Sequence, residues 1–241
     1  MLDVYVGYDS SNEGQQLAHD ICVKSLLENT NFPDKVRIHS LIKKDLEDQG
    51  IFCRPNDPKA STEFTYTRFL VPYLNNYEGY AVFCDSDFLW ERDVYELLDY
   101  INNDLALSCV KHTYTECVSG NTKMDGLNQE WYPRKNWSSL MIFNCSHQNT
   151  KKLTPFIVNT RTPQWLHRME WASDKIGNIP HYFNYLVGYY SDYIDIPRVY
   201  HYTDGGPWHN STKNTQYASN WIAYLSKDQK QLYSNYMSHF N

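Results

Sequence analysis

No run of basic residues, no Cys-x-x-Cys pair and no apolar stretch near the ~20 residues of a membrane helix occurs in this chain of 241 residues. Each absence excludes something. Without a basic block, and with a net charge of -6, nucleic acid is not the main partner expected. Without paired cysteine spacings, the six cysteines do not read as a disulfide or zinc framework; Cys22, Cys84, Cys109 and Cys145 sit in or beside apolar runs, where free thiols behave as small hydrophobes. Met1-Leu2-Asp3-Val4 opens a strand with no basic region or apolar leader before it, so no signal peptide is expected and the compartment reads as a reducing cytoplasm. The sequons at Asn136, Asn144 and Asn210 are then coincidences of an Asn-rich chain. Internal repeats and dividing linkers are also missing, which leaves one domain.

What is present is aromatic. Phe, Trp and Tyr make up 16% of the chain, with 21 Tyr and 7 Trp. Aromatic faces suit sugar rings and bases, although most such residues must serve as core or half-buried wall. Trp165, Trp171 and Trp221 read as core. Leu2 to Tyr8 predicts a buried strand, Gln15 to Asn29 a helix with Leu17, Ile21, Leu26 and Leu27 on its apolar face, and Val36 to Leu41 a second strand. Glu63 to Leu74 predicts a helix carrying Arg68 and stopped near Pro72. Then come a strand from Tyr80, a helix over Val94–Ile101 and a strand over Leu105–Val110. This alternation predicts an α/β fold with a mostly parallel central sheet flanked by helices. Thr113 to Asn136 lacks periodicity and reads as a long functional loop. Ser139 to Phe143 is another strand, helical segments follow at Lys151–Val158 and Leu166–Ala172, and a last helix spans about Gln216 to Met237.

The chemistry concentrates in Tyr80-Ala81-Val82-Phe83-Cys84-Asp85-Ser86-Asp87-Phe88-Leu89. If the strand runs on, Asp85 and Asp87 point to the same side, at the carboxyl end where open α/β sheets place ligands. Two neighbouring carboxylates are costly without a cation between them, and a divalent metal is the natural one. Held by two carboxylates, it would keep positions open for phosphate oxygens. Solvated turns carry Asp-x-Asp too.

Two further segments support a nucleotide site. In Val6-Gly7-Tyr8-Asp9-Ser10, Asp9 could accept the uracil imide N–H while Tyr8 stacks; the same pattern also serves as a helix N-cap. In His201-Tyr202-Thr203-Asp204-Gly205-Gly206-Pro207-Trp208, His201 could complete a metal site that favours Mn²⁺ over Mg²⁺, and the glycines would let backbone amides approach phosphate. Taken alone, His201 reads better as a core histidine beside a turn.

Together these segments resemble the GT-A-fold glycosyltransferases, and specifically glycosyltransferase family 8. Besides the Val6–Ser10 turn, the Asp-x-Asp and the His201–Trp208 segment, the resemblance rests on Thr65-Tyr66-Thr67-Arg68-Phe69-Leu70-Val71-Pro72. Phe64 to Leu74, Tyr132-Pro133-Arg134-Lys135-Asn136-Trp137-Ser138-Ser139, Phe183-Asn184-Tyr185-Leu186-Val187-Gly188 and His201 to Trp208 are similar to phrases of a compact bacterial and phage-borne group. The likeness runs from Val4 to about Trp221. It implies a single GT-A domain over 1–241, with 1–110 as nucleotide-binding half and 111–241 as acceptor-side half. It implies Mn²⁺ (or Mg²⁺) on Asp85, Asp87 and His201, and a UDP-sugar donor met by Val6, Tyr8, Asp9, Ser86 and the Gly205-Gly206 backbone. Arg68 would sit near the sugar or the carboxylates. The implied reaction moves a hexose, glucose or galactose, to a glycan, lipid or protein acceptor with retention.

Three departures mark the likeness. Gly206 stands where family members often carry a phosphate-gripping Lys, a task that metal, amides or Lys111 could take. The sugar-bordering Asp-Gln-Asp has no literal match, and Glu170 or Asp174 could stand in for it. Phe183 stands where some relatives have Trp. Lys111-His112 follows a strand and could enter the cleft; Arg134-Lys135 with Trp137 could wall an acceptor or form a solvated turn. Two other functions fit less well. A haloacid-dehalogenase-type phosphohydrolase opens its domain with Asp-x-Asp, whereas here a β-α-β unit precedes it and no downstream Asp-Asp pair follows. A nucleotide-sugar- or glycan-binding module without turnover would keep the fold and lose the reaction.

Overall fold

A computed structural model of the protein describes residues 1–113, 134–190 and 196–239, together with the backbone of 122–123 and 127–128. The long loop expected over Thr113–Asn136 lies mostly outside the described residues. In chain order the elements are β1 (Leu2–Gly7), α1 (Glu13–Asn29), β2 (Val36–Leu41), α2 (Lys43–Asp48), α3 (Val71–Leu74), β3 (Tyr80–Cys84), β4 (Phe88–Trp90) and β5 (Leu107–Val110). They continue with β6 (Thr122–Lys123), β7 (Leu127–Asn128), β8 (Leu140–Asn144), α4 (Pro155–Thr160), α5 (Pro163–His167), β9 (Ile176–Ile179), β10 (Tyr185–Leu186), β11 (Val199–His201), α6 (Ala218–Ala223) and α7 (Lys227–Ser238).

The main sheet has the order β2-β1-β3-β8-β5-β9. β1 runs parallel to β2 and β3, and β5 runs parallel to β9. β8 alone runs against its neighbours, between β3 and β5. The predicted mostly parallel α/β sheet is therefore present with one reversed strand, and both halves of the chain supply strands to it. Alternation loads both faces, as expected of a sheet covered on each side. Tyr5, Phe83 and Phe143 pack on one face with Phe69 and Trp171, while Val4, Val6, Val82, Cys84 and Ile142 pack on the other with Cys22 and Leu26 of α1. A second sheet, β10-β11-β4, leans on α1 through Leu17, Ile21, Leu89, Tyr185, Trp208 and Trp221. Asn12 caps α1, its side-chain oxygen accepting from Gln15 N at 2.9 Å.

Several expected elements differ. In place of a helix over Glu63–Leu74 there is a 3-10 turn at Thr67–Leu70 followed by α3. Pro72 lies in the first turn of α3, where its missing N–H has no intrahelical partner to lose, so it starts a helix instead of stopping one. Val94–Tyr100 is a 3-10 stretch capped by Asp93. Pro155 and Pro163 begin separate short helices, each behind a capping Thr, and Met169 at φ 54° ends the second before a 3-10 turn at Glu170–Ala172. The last helix is two: Ser226 and Gln229 form a reciprocal capping box that restarts the chain as α7. Cys22, Cys84, Cys109 and Cys145 are free and buried, as expected. Among the described residues, no helix is long and apolar enough to cross a membrane.

Candidate active site

Asp85, Ser86 and Asp87 form a turn between β3 and β4, so strand alternation is not what brings the carboxylates together. The turn is fixed from behind. Asp85 N donates to Ser139 O at 2.9 Å. Arg68, buried, places Nη1 2.8 Å from Asp85 Oδ1 and 3.0 Å from Ser138 O, and its Nε donates to Phe64 O at 3.2 Å. Its guanidinium lies over the rings of Phe64 and Phe83, 5.2 and 5.0 Å from their centroids, and both aromatic faces stabilise the desolvated cation. Gly7 permits this arrangement: a Cβ there would lie 2.6 Å from the Phe64 ring.

His201 arrives from the second sheet. Antiparallel pairing of β11 with β4 sets His201 opposite Phe88, and Tyr202 N donates to Asp87 O at 3.0 Å. The imidazole is 2% exposed, stacks on Phe88 at 4.6 Å between centroids, and holds Nε2 3.4 Å from Asp87 Oδ2. Its Nδ1 is 2.8 Å from Asn184 Oδ1. Asp85, Asp87 and His201 each bring one ligand atom within 4.8 Å of the others. Two carboxylate oxygens with one imidazole nitrogen suit a borderline-hard divalent cation such as Mn²⁺, and a cation there would offset the repulsion between the two carboxylates.

The other predicted residues surround this cluster unevenly. Val6 and Ser86 are buried. Tyr8 is half-buried, edge-on to His19 at 5.0 Å. Asp9 is buried and turns its oxygens inward, Oδ1 accepting from Ser11 N at 2.9 Å and Oδ2 from Glu63 N at 3.3 Å. Lys111 Nζ donates to Ile176 O at 2.8 Å. Gly205, at φ 111°, spends its N–H on Tyr202 O at 2.8 Å, so the expected phosphate contact from its amide is not offered here. Glu170 and Asp174 are exposed; Glu170 shares a hollow with Arg134, Arg168 and Ser173. Trp171 and Trp221 are buried and Trp165 packs against the core, as expected.

Two imidazoles near the cluster are held neutral. Burial, then the neighbouring imidazoles of His201 and His181, push His112 down to about 3; its Nδ1 is 2.6 Å from the Tyr190 hydroxyl. Burial, then Arg68 and Arg54, push His167 down to about 3, and its Nδ1 is 3.0 Å from Ser138 Oγ. Sequence reasoning assigned no role to Ser138, Ser139 or Asn184. The available signal was an Asn inside an aromatic phrase, Phe183-Asn184-Tyr185, which a strand would not bury without a polar partner.

No family model matches the chain. Protein CDI of Arabidopsis thaliana is 40% identical over 233 residues, covering 95% of this chain and 87% of its own length. Among solved structures, the bifunctional glycosyltransferase WbbM in its apo form matches 97% of this chain with a TM-score of 0.64 at 15% identity. Glycosyltransferase GlyE of Streptococcus pneumoniae TIGR4 matches 99% with a TM-score of 0.61 at 14% identity. The chain spans 51% of WbbM and 64% of GlyE. The galactosyltransferase LgtC, solved with donor and acceptor sugar analogues, matches 95% of this chain and 99% of its own length, with a TM-score of 0.58 at 13% identity. Identities this low speak to the fold alone, whereas the plant relative is similar enough to establish kinship. The chain therefore belongs to the family of Protein CDI and has the GT-A fold of the glycosyltransferases.

Proposed function

We propose that the protein is a metal-dependent glycosyltransferase that moves a hexose, glucose or galactose, from a UDP-sugar to a glycan, lipid or protein acceptor. The observation that carries this reading is the convergence of Asp85, Asp87 and His201 at the carboxyl end of β3, on a GT-A scaffold. Those three residues would hold Mn²⁺ (or Mg²⁺), which when bound neutralises charge on a departing diphosphate, a Lewis-acid role commonly worth several kcal/mol. Arg68 orients Asp85 and balances its charge. Tyr8 and Asp9 line the first-strand turn. Each Asp9 oxygen keeps lone-pair capacity beyond its backbone contact, enough to accept the N3–H of uracil. Ser86 and the amide of Gly206 serve the phosphates, joined by Lys111 if its ammonium leaves the Ile176 carbonyl, and Glu170 and Asp174 border the sugar.

The deciding experiment incubates the protein with UDP-glucose and with UDP-galactose and follows UDP release. Mn²⁺ should support turnover, excess chelator should abolish it, and Asp87→Ala should be inactive with an unchanged circular dichroism spectrum. Full turnover in chelator overturns the metal assignment. UDP should bind more tightly than GDP or ADP, because adenine offers Asp9 no ring N–H and the larger guanine sets its N1–H farther from the ribose than uracil sets its N3–H. The resemblance to family 8 supports retention, so proton NMR of the first-formed product from a UDP-α-sugar should show an α-linkage. A β-linkage would reject that mechanism.

A further inference from the structure

Two of the three residues of the cluster, Asp85 and His201, are braced by a chain of hydrogen bonds running back through the phrases Arg134–Ser139 and Phe183–Gly188, to which the proposed reaction assigns no part. Ser139 Oγ lies 2.7 Å from Asn136 O. A carbonyl only accepts, so the Ser139 proton is committed there. Asn184 is fully buried and its Nδ2 lies 2.8 Å from Ser139 Oγ, which with its proton committed can only accept. The amide is thereby oriented, and Asn184 Oδ1 faces His201 Nδ1 at 2.8 Å. An amide oxygen cannot donate, so neutral His201 carries its proton on Nδ1 and turns the Nε2 lone pair toward Asp85 and Asp87. Flipping the amide would reverse every step and strip the Asn136 carbonyl of its 2.7 Å partner.

We propose that Asn184, oriented by Ser139, is a positioning residue that fixes the tautomer and ring direction of His201 so that Nε2 is the metal-binding atom. This deepens the metal-dependent reading and rests on it for its purpose, though not for its geometry. Ser139 has a second task in the same assembly, since its carbonyl accepts from Asp85 N at 2.9 Å. One residue thus ties the imidazole ligand and a carboxylate ligand to the same turn, which the left-handed Asn136 (φ 63°) begins. Partners of this kind behind a metal-ligating His commonly change metal affinity by about 10–100-fold when removed.

The test uses the full chain and two readouts. Two-bond proton–nitrogen correlation spectra of the metal-free protein, recorded near pH 8.5 and so about two units above the reference imidazole value, report the tautomer. Mn²⁺ titration followed by electron paramagnetic resonance reports affinity. Wild type should show His201 as the Nδ1–H form. Asn184→Leu, which cannot accept, should lose that preference and weaken Mn²⁺ by at least about tenfold. Asn184→Asp, which still accepts, should keep the Nδ1–H form and bind Mn²⁺ within a few-fold of wild type. Should Asn184→Leu fail to fold, Ser139→Ala, which frees the amide to flip, should give mixed tautomers and an intermediate loss. An Nε2–H form in wild type, or unchanged tautomer and affinity in Asn184→Leu or Ser139→Ala, overturns the proposal. Absence of UDP-sugar turnover with the Nδ1–H tautomer intact would instead sink the transferase reading and leave the relay standing.

Discussion

Arg68 is the residue on which the carboxylate turn leans. It meets Asp85 and the carbonyls of Ser138 and Phe64 where both charged side chains are largely shielded from solvent. Removing one member of a buried pair leaves the other charge uncompensated, which typically costs about 3–5 kcal/mol. Arg68→Ala should therefore unfold at clearly lower urea concentration than wild type. Arg68→Lys keeps the charge but cannot reach the Ser138 carbonyl and Asp85 from one planar fork; it should fold, lose about 1–2 kcal/mol in the same urea series and bind Mn²⁺ less tightly because Asp85 is less well aimed. Equal stability of Arg68→Ala and wild type would show that the pair contributes nothing net. A residue of this kind is only half legible in a sequence. The Thr65–Pro72 phrase marked Arg68 as important, but its partners lie 17 and 70 positions away along the chain, a separation that periodicity does not report.

At the level of elements, the segment after β11 is tightened around two glycines. A Cβ on Gly206 would lie 2.1 Å from the ring of Trp208, which is fully buried against Trp221 and Tyr202. Gly206→Ala must push that ring or the backbone, and overpacking of this sort costs about 1–3 kcal/mol. Differential scanning calorimetry should show a melting temperature lower by roughly 2–4 °C per kcal/mol for a chain of this length; an unchanged midpoint would mean the turn relaxes freely. β1 was readable because Leu2–Gly7 is an almost continuous apolar run, and α1 because the Asn12 cap precedes Leu17, Ile21 and Leu26, which it buries. The short helices were not, because Pro72, Pro155 and Pro163 act here as starters and the backbone reverses at Met169. The same blindness affected Asp85 and Asp87. Their convergence was expected from an unbroken strand, whereas a turn delivers it and the register of β4 with β11 brings His201 beside it.

For the molecule as a whole, acid should be the sensitive direction. His112 is buried and His167 half-buried, and desolvation holds both neutral, each pushed down to about 3. The unfolded chain binds protons at both positions from the ordinary histidine value near 6.5 downward, and the folded chain does not until far lower pH. Their contribution to stability is thus complete above about pH 6.5 and is lost as pH falls toward 3, by up to about 1.4 kcal/mol per pH unit per histidine. Urea melts from pH 7.5 to 5 should show this slope, and His167→Gln should flatten it; a slope unchanged in that variant would assign the acid sensitivity elsewhere. The reversed strand β8 carries a different consequence. Because it runs against β3 and β5, its entry point lies where they end, and residues 85–87, 138–139, 184 and 201 meet there from four distant stretches of chain. Loops that long close slowly, so during synthesis the cluster forms after the sheet of the first half has paired. A nascent chain that has paired β1, β2 and β3 still lacks the histidine until residue 201 has emerged, so the half of the chain that carries Asp85 and Asp87 is made well before the residue that completes the cluster.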